Sequence, residues 1–457
     1  MLILIANYII VLAVVVIILG MINAFRVYVS VKFLKEKNVA LQRSQTDNDG
    51  NWPVIIIMIP ALREGETIRR TIQTFARIHY PKIKLKVVVV TTEREFEGNF
   101  NQNKNTITIA KKQIDDLNSS NQYESFHLIH YPYKQGVKAD QLNYAIGQLQ
   151  ILLPDYFNDR TYLGVYDADS VTPENTLEML AKDATMNDYP NIYQQPTSYF
   201  NNYNILPSNL NGLFSKSFSW LQSAFAIYHE ANLFITQEGN TKKIIKTGYC
   251  VGHGMFVRWP FLKRIGLFPT PIEDTRLGHI ASYLGEKIKV LPAFDSADVT
   301  VGIVSQIKQA SVWFIGEAFV VEDLKVAKKI MPNLSPWSIW LVIYKIYRNT
   351  VWITRAFLLY IIILVLIMTN NYIWAFLAGF SYLYLPVFIM YLNMSTIQTM
   401  TAKHYQKFFR NIFQTIGVIL VIPIEFFIMS LGPLLGLFKF LVYRITRQNL
   451  YLPKTER

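Results

Sequence analysis

The sequence predicts an α/β domain with a mostly parallel sheet, joined at both ends to transmembrane helices. Three features lead there. Short β-branched runs alternate with helical patterns four times within residues 52–320. The chain opens on an uncharged tract, Met1 to Phe25, long enough to cross a bilayer. Apolar tracts return after Val351, in a chain of 457 residues that is 51% hydrophobic and 14% aromatic, above an ordinary soluble domain.

The first tract has nothing basic before it, whereas Arg26, Lys32, Lys35, Lys37 and Arg43 follow it. A cleavable signal peptide has the opposite order, so residues 1–25 are expected to form an uncleaved anchor with its N-terminus outside. The bulk of the chain then begins in the cytoplasm. The net charge of +13 largely borders such apolar tracts, which fits a membrane surface or a phosphorylated substrate; no nucleic-acid partner is expected. The single cysteine, Cys250, excludes an intrachain disulfide and fits a reducing compartment.

Within the domain, Val54 to Ile59 is a strand apolar enough to be buried on both faces. A helical pattern follows over Glu66 to Ile78, a second strand over Leu85 to Val90, and a helix over Ile107 to Leu117. Phe126 to Tyr131 and Tyr162 to Tyr166 supply two more strands, with a helix over Lys138 to Gln150 between them. Thr172-Pro173-Glu174 starts a further helix, with a cap, a first-turn proline and a first-turn acid. Asn99 to Asn105 and Asn118 to Asn121 are polar loops. Beyond the domain, residues 336–354 suit a helix lying in the interface, with Lys345 and Arg348 interspersed; an amphipathic core helix fits equally well. Residues 355–443 form the C-terminal transmembrane region. Ala356 to Met368 and Tyr372 to Leu392 turn at Thr369-Asn370-Asn371, and Arg355 can snorkel at the inner end. Lys403, His404, Lys407 and Arg410 mark the next stretch as cytoplasmic. Ile412 to Phe438 carries only Glu425, and Pro423, Gly432 and Pro433 can break it into a hairpin. That hairpin keeps the basic tail (Lys439, Arg444, Arg447, Lys454, Arg457) inside, so about five spans are expected, with four spans or a re-entrant segment as the alternatives.

In such sheets ligands bind beyond the carboxyl ends of the strands. There the chain places Pro60-Ala61-Leu62-Arg63-Glu64, Thr91-Thr92-Glu93-Arg94-Glu95 and Asp167-Ala168-Asp169. No glycine-rich phosphate loop follows a strand, which argues against a dinucleotide oxidoreductase or a P-loop enzyme. Asp167 and Asp169 can hold Mg²⁺ or Mn²⁺ through hard oxygens while leaving sites for a diphosphate. Alone, the pair is also a helix cap or a solvated turn. Glu273-Asp274 offers an acid to deprotonate an attacking hydroxyl, or simply acids suited to a helix N-terminus, and both can hold. His253 lies between Gly252 and Gly254, where backbone can approach a ligand closely; a loop histidine satisfied locally fits as well.

These motifs, in this order, resemble the inverting family-2 glycosyltransferases, in particular the membrane-integrated branch with cellulose, chitin and hyaluronan synthases. Ile56 to Glu64 is similar to that family's opening strand and Pro-x-x-x-Glu turn. Gly136 to Asn143 is similar to its Gly-Lys-Ala-x-x-Leu-Asn segment, and Asp167-Ala168-Asp169 to its metal motif. Ile272-Glu273-Asp274 resembles Thr-Glu-Asp, Gln309 to Trp313 with Gly316 resembles Gln-x-x-Arg-Trp, and residues 454–457 resemble the ends of several members. The resemblance implies a GT-A fold over residues 52–320 and Asp274 as general base. It implies Asp167 and Asp169 around Mg²⁺ or Mn²⁺, donor contacts from Pro60, Glu64, Glu93, Lys138 and Asp167, and acceptor contacts from His253, Glu273, Gln309 and Trp313. The chain departs from the pattern where Thr91, Thr92 and Glu93 replace an Asp pair, where Ile272 replaces threonine and where Val312 replaces arginine. Trp313 is alternatively an interfacial anchor.

The expected activity is sugar transfer with inversion, from a nucleotide-diphospho sugar (a UDP-sugar) to a polysaccharide or a lipid-linked glycan. The setting is the plasma membrane with a cytoplasmic catalytic domain. Two other readings are a catalytically silent nucleotide-sugar sensor and a transporter with a cytoplasmic regulatory domain. The second suffers from the few ionisable groups in the spanning tracts.

Overall fold

The computed structural model describes residues 2–44, 51–96, 105–119, 124–239, 244–402 and 412–446. Most of the two expected polar loops, the cytoplasmic stretch with Lys403 to Arg410, and the tail with Arg447, Lys454 and Arg457 lie outside the described residues.

The chain opens with α1 (Leu2–Arg43) and then alternates: β1 (Ile55–Pro60), α2 (Gly65–Ala76), β2 (Leu85–Thr92), α3 (Thr106–Ser119), β3 (Phe126–Tyr131), α4 (Lys138–Leu152), β4 (Tyr162–Val165) and α5 (Thr176–Met186). Short strands β5 (Ile192–Gln194) and β6 (Thr197–Ser198) lead to α6 (Leu210–Phe225), a π-helical turn at Ala226–Ala231, and α7 (Asn232–Gly239). Then come β7 (Met255–Arg258), α8 (Trp259–Arg264), α9 (Glu273–Tyr283), β8 (Ile288–Val290), β9 (Asp295–Ser296), α10 (Ile303–Ala318) and α11 (Val320–Ile330). The remaining helices are α12 (Trp337–Met368), α13 (Tyr372–Gly379), α14 (Leu385–Leu392), α15 (Met394–Gln398) and α16 (Ile412–Thr446).

Among the described residues, seven strands form one sheet in the order β3-β2-β1-β4-β7-β5-β8, in which only β7 runs antiparallel to its neighbours. The sheet is mostly parallel, as expected. Its interior follows the period of two of a strand. Ile55, Ile57 and Ile59 pack with Ile68, Ile72 and Phe75 of α2, while Ile56 and Met58 pack with Leu142 and Ile146 of α4.

α1 extends 18 residues past Phe25 and docks on the domain. Val27, Val31 and Leu34 join the core on the side of the π-helical turn and α7, and Lys37 Nζ meets Glu238 at 2.7 Å and Asp183 at 3.2 Å. Among the described residues, four helical stretches are long and apolar enough to cross a membrane: Asn7–Arg43, Trp337–Met368, Tyr372–Leu392 and Gln414–Thr446. Two expectations need correction. Residues 336–354 are not a separate interfacial helix, because α12 runs unbroken from Trp337 to Met368. Nor does Ile412 to Phe438 fold back as a hairpin, which reduces five expected spans to four candidates. Pro423 and Pro433 sit inside the single helix α16, and the Pro423 carbonyl accepts a 2.6 Å bond from Tyr360 Oη. The carbonyl that Pro423 leaves without its helical N–H is that of Ile419, which accepts from Tyr384 Oη at 3.2 Å; neighbouring helices supply such partners where proline interrupts a ladder. α16 also lies along the domain: Gly417 faces Leu213, Gly432 and Gly436 face α10, and Arg444 pairs with Glu322 of α11.

Candidate active site

The site lies beyond the carboxyl ends of β1 and β4. The turn after β1 puts Arg63 in the left-handed region, φ 55°. Glu95, fully buried after β2, holds that turn: its carboxylate accepts the Arg63 N–H at 2.6 Å and both the N–H and hydroxyl of Thr106 at 2.8 Å. Burying an acid is tolerable only when its oxygens are matched in this way. Pro60 and Glu64 are thereby turned into a cavity of about 390 Å³.

Lys138, at the first position of α4, is the hub. Its Nζ lies 2.9 Å from Asp167 Oδ1, 3.1 Å from Glu273 Oε1 and 2.6 Å from the Gly252 carbonyl. One ammonium thus joins the end of β4, the start of α9 and the loop before β7. Burial opposes its charge, but Asp167, Glu273 and Asp274 outweigh this and raise its pKa.

Asp274 sits in the first turn of α9, where Oδ1 accepts the Thr275 N–H at 2.6 Å. Two glycines bring it to the loop. A side chain on Gly278 would strike the Tyr249–Cys250 backbone, and a Cβ on Gly252 would lie 2.8 Å from Asp274 Oδ2. Burial first, and Glu273 beside it, push the Asp274 carboxyl up to about 7, against the pull of Lys138 and the Thr275 N–H. A carboxylate near neutrality suits a general base.

Asp167 lines the cavity with its side chain about a fifth exposed, at 21%. Asp169 lies behind it, buried, accepting the Asp298 N–H at 3.0 Å. His253 is buried with Nδ1 2.6 Å from Asp295 Oδ2; burial lowers its pKa, but Asp295, Asp167 and Asp169 together raise it. Asp295 Oδ1 is buried with no hydrogen-bond partner. Among the described residues no three His, Cys, Asp or Glu side chains form a metal cage. Asp167, a hard oxygen donor on the cavity wall, fits a Mg²⁺ or Mn²⁺ ion bound together with a diphosphate; Asp169, buried behind it, would join that ion only by turning toward the cavity.

Of the residues singled out in the sequence, Pro60, Glu64, Lys138, Asp167, His253, Glu273, Asp274, Gln309 and Trp313 line this cavity. Asp169 and Glu93 do not. Glu93 instead pairs with His130 of β3 at 3.0 Å, which turns it from the donor site. Glu273, expected on the acceptor side, is buried against Lys138, and His253 joins the Asp167/Asp169 edge. Sequence reading missed Arg94, whose Nη1 reaches the Gly136 carbonyl at 3.3 Å, and Glu230, which accepts the Tyr249 hydroxyl at 3.1 Å. It also missed the α12 wall, where Lys345, Arg348, Asn349, Trp352 and Arg355 face the cavity. Their spacing of three, four, seven and ten is one helix face, a signal present in the sequence.

No family model matches the chain, and no curated protein matches it. Among solved structures it is similar to the mannosyltransferase PcManGT from Pyrobaculum calidifontis, in complex with GDP-Man and Mn²⁺, at 13% identity and a TM-score of 0.45, covering 92% of this chain and 99% of that one. It is also similar to S. aureus TarS, at 16% identity and a TM-score of 0.34 over 61% of this chain and 42% of that one. TarS 1-349 in complex with UDP-GlcNAc matches at 14% identity and a TM-score of 0.33, covering 61% and 71%. At this level of likeness the assignment of an activity rests on the site's own residues.

Proposed function

We propose that the protein is a membrane-bound inverting glycosyltransferase that takes a sugar from a nucleotide-diphospho donor, a UDP-sugar, and extends a lipid-linked glycan or polysaccharide. The observation that carries this is the convergence of Asp167, Lys138 and Asp274 in one cavity at the carboxyl edge of a parallel sheet. Asp274 takes the proton of the acceptor hydroxyl as that oxygen attacks the anomeric carbon. The nucleoside diphosphate leaves from the opposite face, which inverts the centre. Lys138 orients Asp167 and Glu273 and keeps positive charge beside the departing diphosphate. Asp167 and Asp169 would hold Mg²⁺ or Mn²⁺, which when bound supplies charge neutralisation at that diphosphate. Trp313 offers a flat apolar face to the acceptor sugar. The basic residues after the first apolar tract support a cytoplasmic domain, and the setting proposed for it is the plasma membrane.

The test is nucleoside diphosphate release by the full chain in lipid nanodiscs, across a panel of UDP- and GDP-sugars with and without EDTA. Release with one donor, abolished by EDTA and by Asp169→Ala, is expected. Binding of a nucleotide sugar with no turnover under any condition would make the chain a sensor.

A further inference from the structure

The cavity continues past Asp274 toward the membrane, and its charge changes sign on the way. Near Asp274 the wall is acidic, with Glu273, Glu230 and Glu317. Farther along it is formed by Arg348 and Arg355 of α12. Among the described residues neither guanidinium has a carboxylate in ion-pairing range; only Lys345 on the same face is matched, by Glu317. Arg348 Nη2 lies 3.2 Å from His229 Nδ1. Arg355 sits between two rings, 5.1 Å from the Phe426 centroid and 5.7 Å from Phe225, and its Nε is buried with no hydrogen-bond partner. It is therefore held inside the cavity and does not snorkel out to bulk water. Burial, and then Arg348, Lys345 and Arg355, drive the His229 pKa well below its usual value, so the imidazole adds no proton and serves as a neutral neighbour.

Uncompensated arginines facing a cavity await an anion, and the planar guanidinium fork matches phosphate. Arg355 is also the last charged residue before the uncharged stretch 356–368 of α12. A ligand with phosphate there has its apolar part beside the membrane-crossing helices and its other end toward Asp274. We infer that Arg348 and Arg355 form the binding site for the phosphate of a lipid-linked acceptor. This rests on the glycosyltransferase reading above and names its acceptor class.

The test uses farnesyl phosphate as probe, binding to the full chain in phosphatidylcholine nanodiscs, with nucleotide binding measured on the same preparations. Farnesyl phosphate should bind saturably and farnesol about tenfold or more weakly, as expected for loss of charge-assisted bonds. The double variant Arg348→Ala/Arg355→Ala should lose about tenfold or more in farnesyl phosphate affinity with nucleotide affinity unchanged. Arg348→Lys/Arg355→Lys, which keeps the charge, should lose less. Equal affinity for farnesol, or an unchanged alanine variant, overturns the site. Competition by inorganic phosphate at equal concentration would assign it to free phosphate, and displacement by phosphatidylglycerol to a bilayer headgroup; either overturns the acceptor assignment. Failure of nucleotide binding in the unmodified chain would instead sink the transferase reading.

Discussion

The two ends of the cavity handle charge in opposite ways. Around Lys138, Asp167 and Glu273 each sit within 3.1 Å of the shared ammonium, and His253 is closed onto Asp295. At the other end, Arg348 and Arg355 stand against a neutral imidazole and aromatic rings. A matched cluster is assembled before any ligand arrives, which is what positioning of a reacting group requires. An unmatched cluster costs folding energy and retains its attraction for a ligand. The contrast teaches that the chemistry is prebuilt at one end, whereas recognition at the other is completed by what binds there.

The sharpest way to break the comparison is Asp274→Asn. Transfer should fall by about 10²–10⁴, the usual worth of a positioned base, while nucleotide affinity stays within about twofold. A loss of nucleotide binding as large as the loss of rate would place Asp274 among the donor contacts. Next is Lys138→Met, which removes the shared cation. Donor affinity should drop by about tenfold or more. The acidic limb of the pH profile should also move upward, because Lys138 is what draws the Asp274 carboxyl down. An unmoved limb would mean the hub does not tune the base.

In the unmodified enzyme the base must be ionised. With the Asp274 carboxyl at about 7, kcat/KM should fall about tenfold per pH unit below that value and level off above it. A flat profile between pH 6 and 8 would exclude Asp274 as the titrating base. The smallest effect belongs to Glu230, which burial raises to about 7 against the Tyr249 hydrogen bond. Glutamine mimics its protonated form, so Glu230→Gln should match the parent at pH 6 and depart by a few-fold at pH 8. Equal departure at both values would show a packing effect instead.

Much of this was legible in the sequence because it obeys local rules. The four expected strands became the parallel half of the sheet, and of the acids at their ends Glu64 and Asp167 reached one cavity while Glu93, Glu95 and Asp169 did not. The strands β5 and β8 span only three residues, too short for a period to show. Glu95 was visible but its task was not, since its partners Arg63 and Thr106 are defined only by the fold. Glu230 sits in a π-helical turn that shifts the helical register, so spacing did not announce it. Division of α12 at Thr354 hid the arginine face, because amphipathic and apolar halves of one helix look like two segments.

That unbroken α12 makes the molecule a gauge. At 1.5 Å per residue, the ten steps from Lys345 to Arg355 measure about 15 Å, and the same rod continues through the apolar stretch to Met368. No hinge separates the reaction chamber from the bilayer-crossing part, so the altitude of the reacting centre is set by residue count. An acceptor is then sorted by reach: its hydroxyl must stand at that altitude while its anchor stays below. One alanine inserted after Arg355 would swing everything beyond it by about 100° relative to the chamber. It would detune the reach while leaving the Lys345 to Arg355 face of the cavity in place.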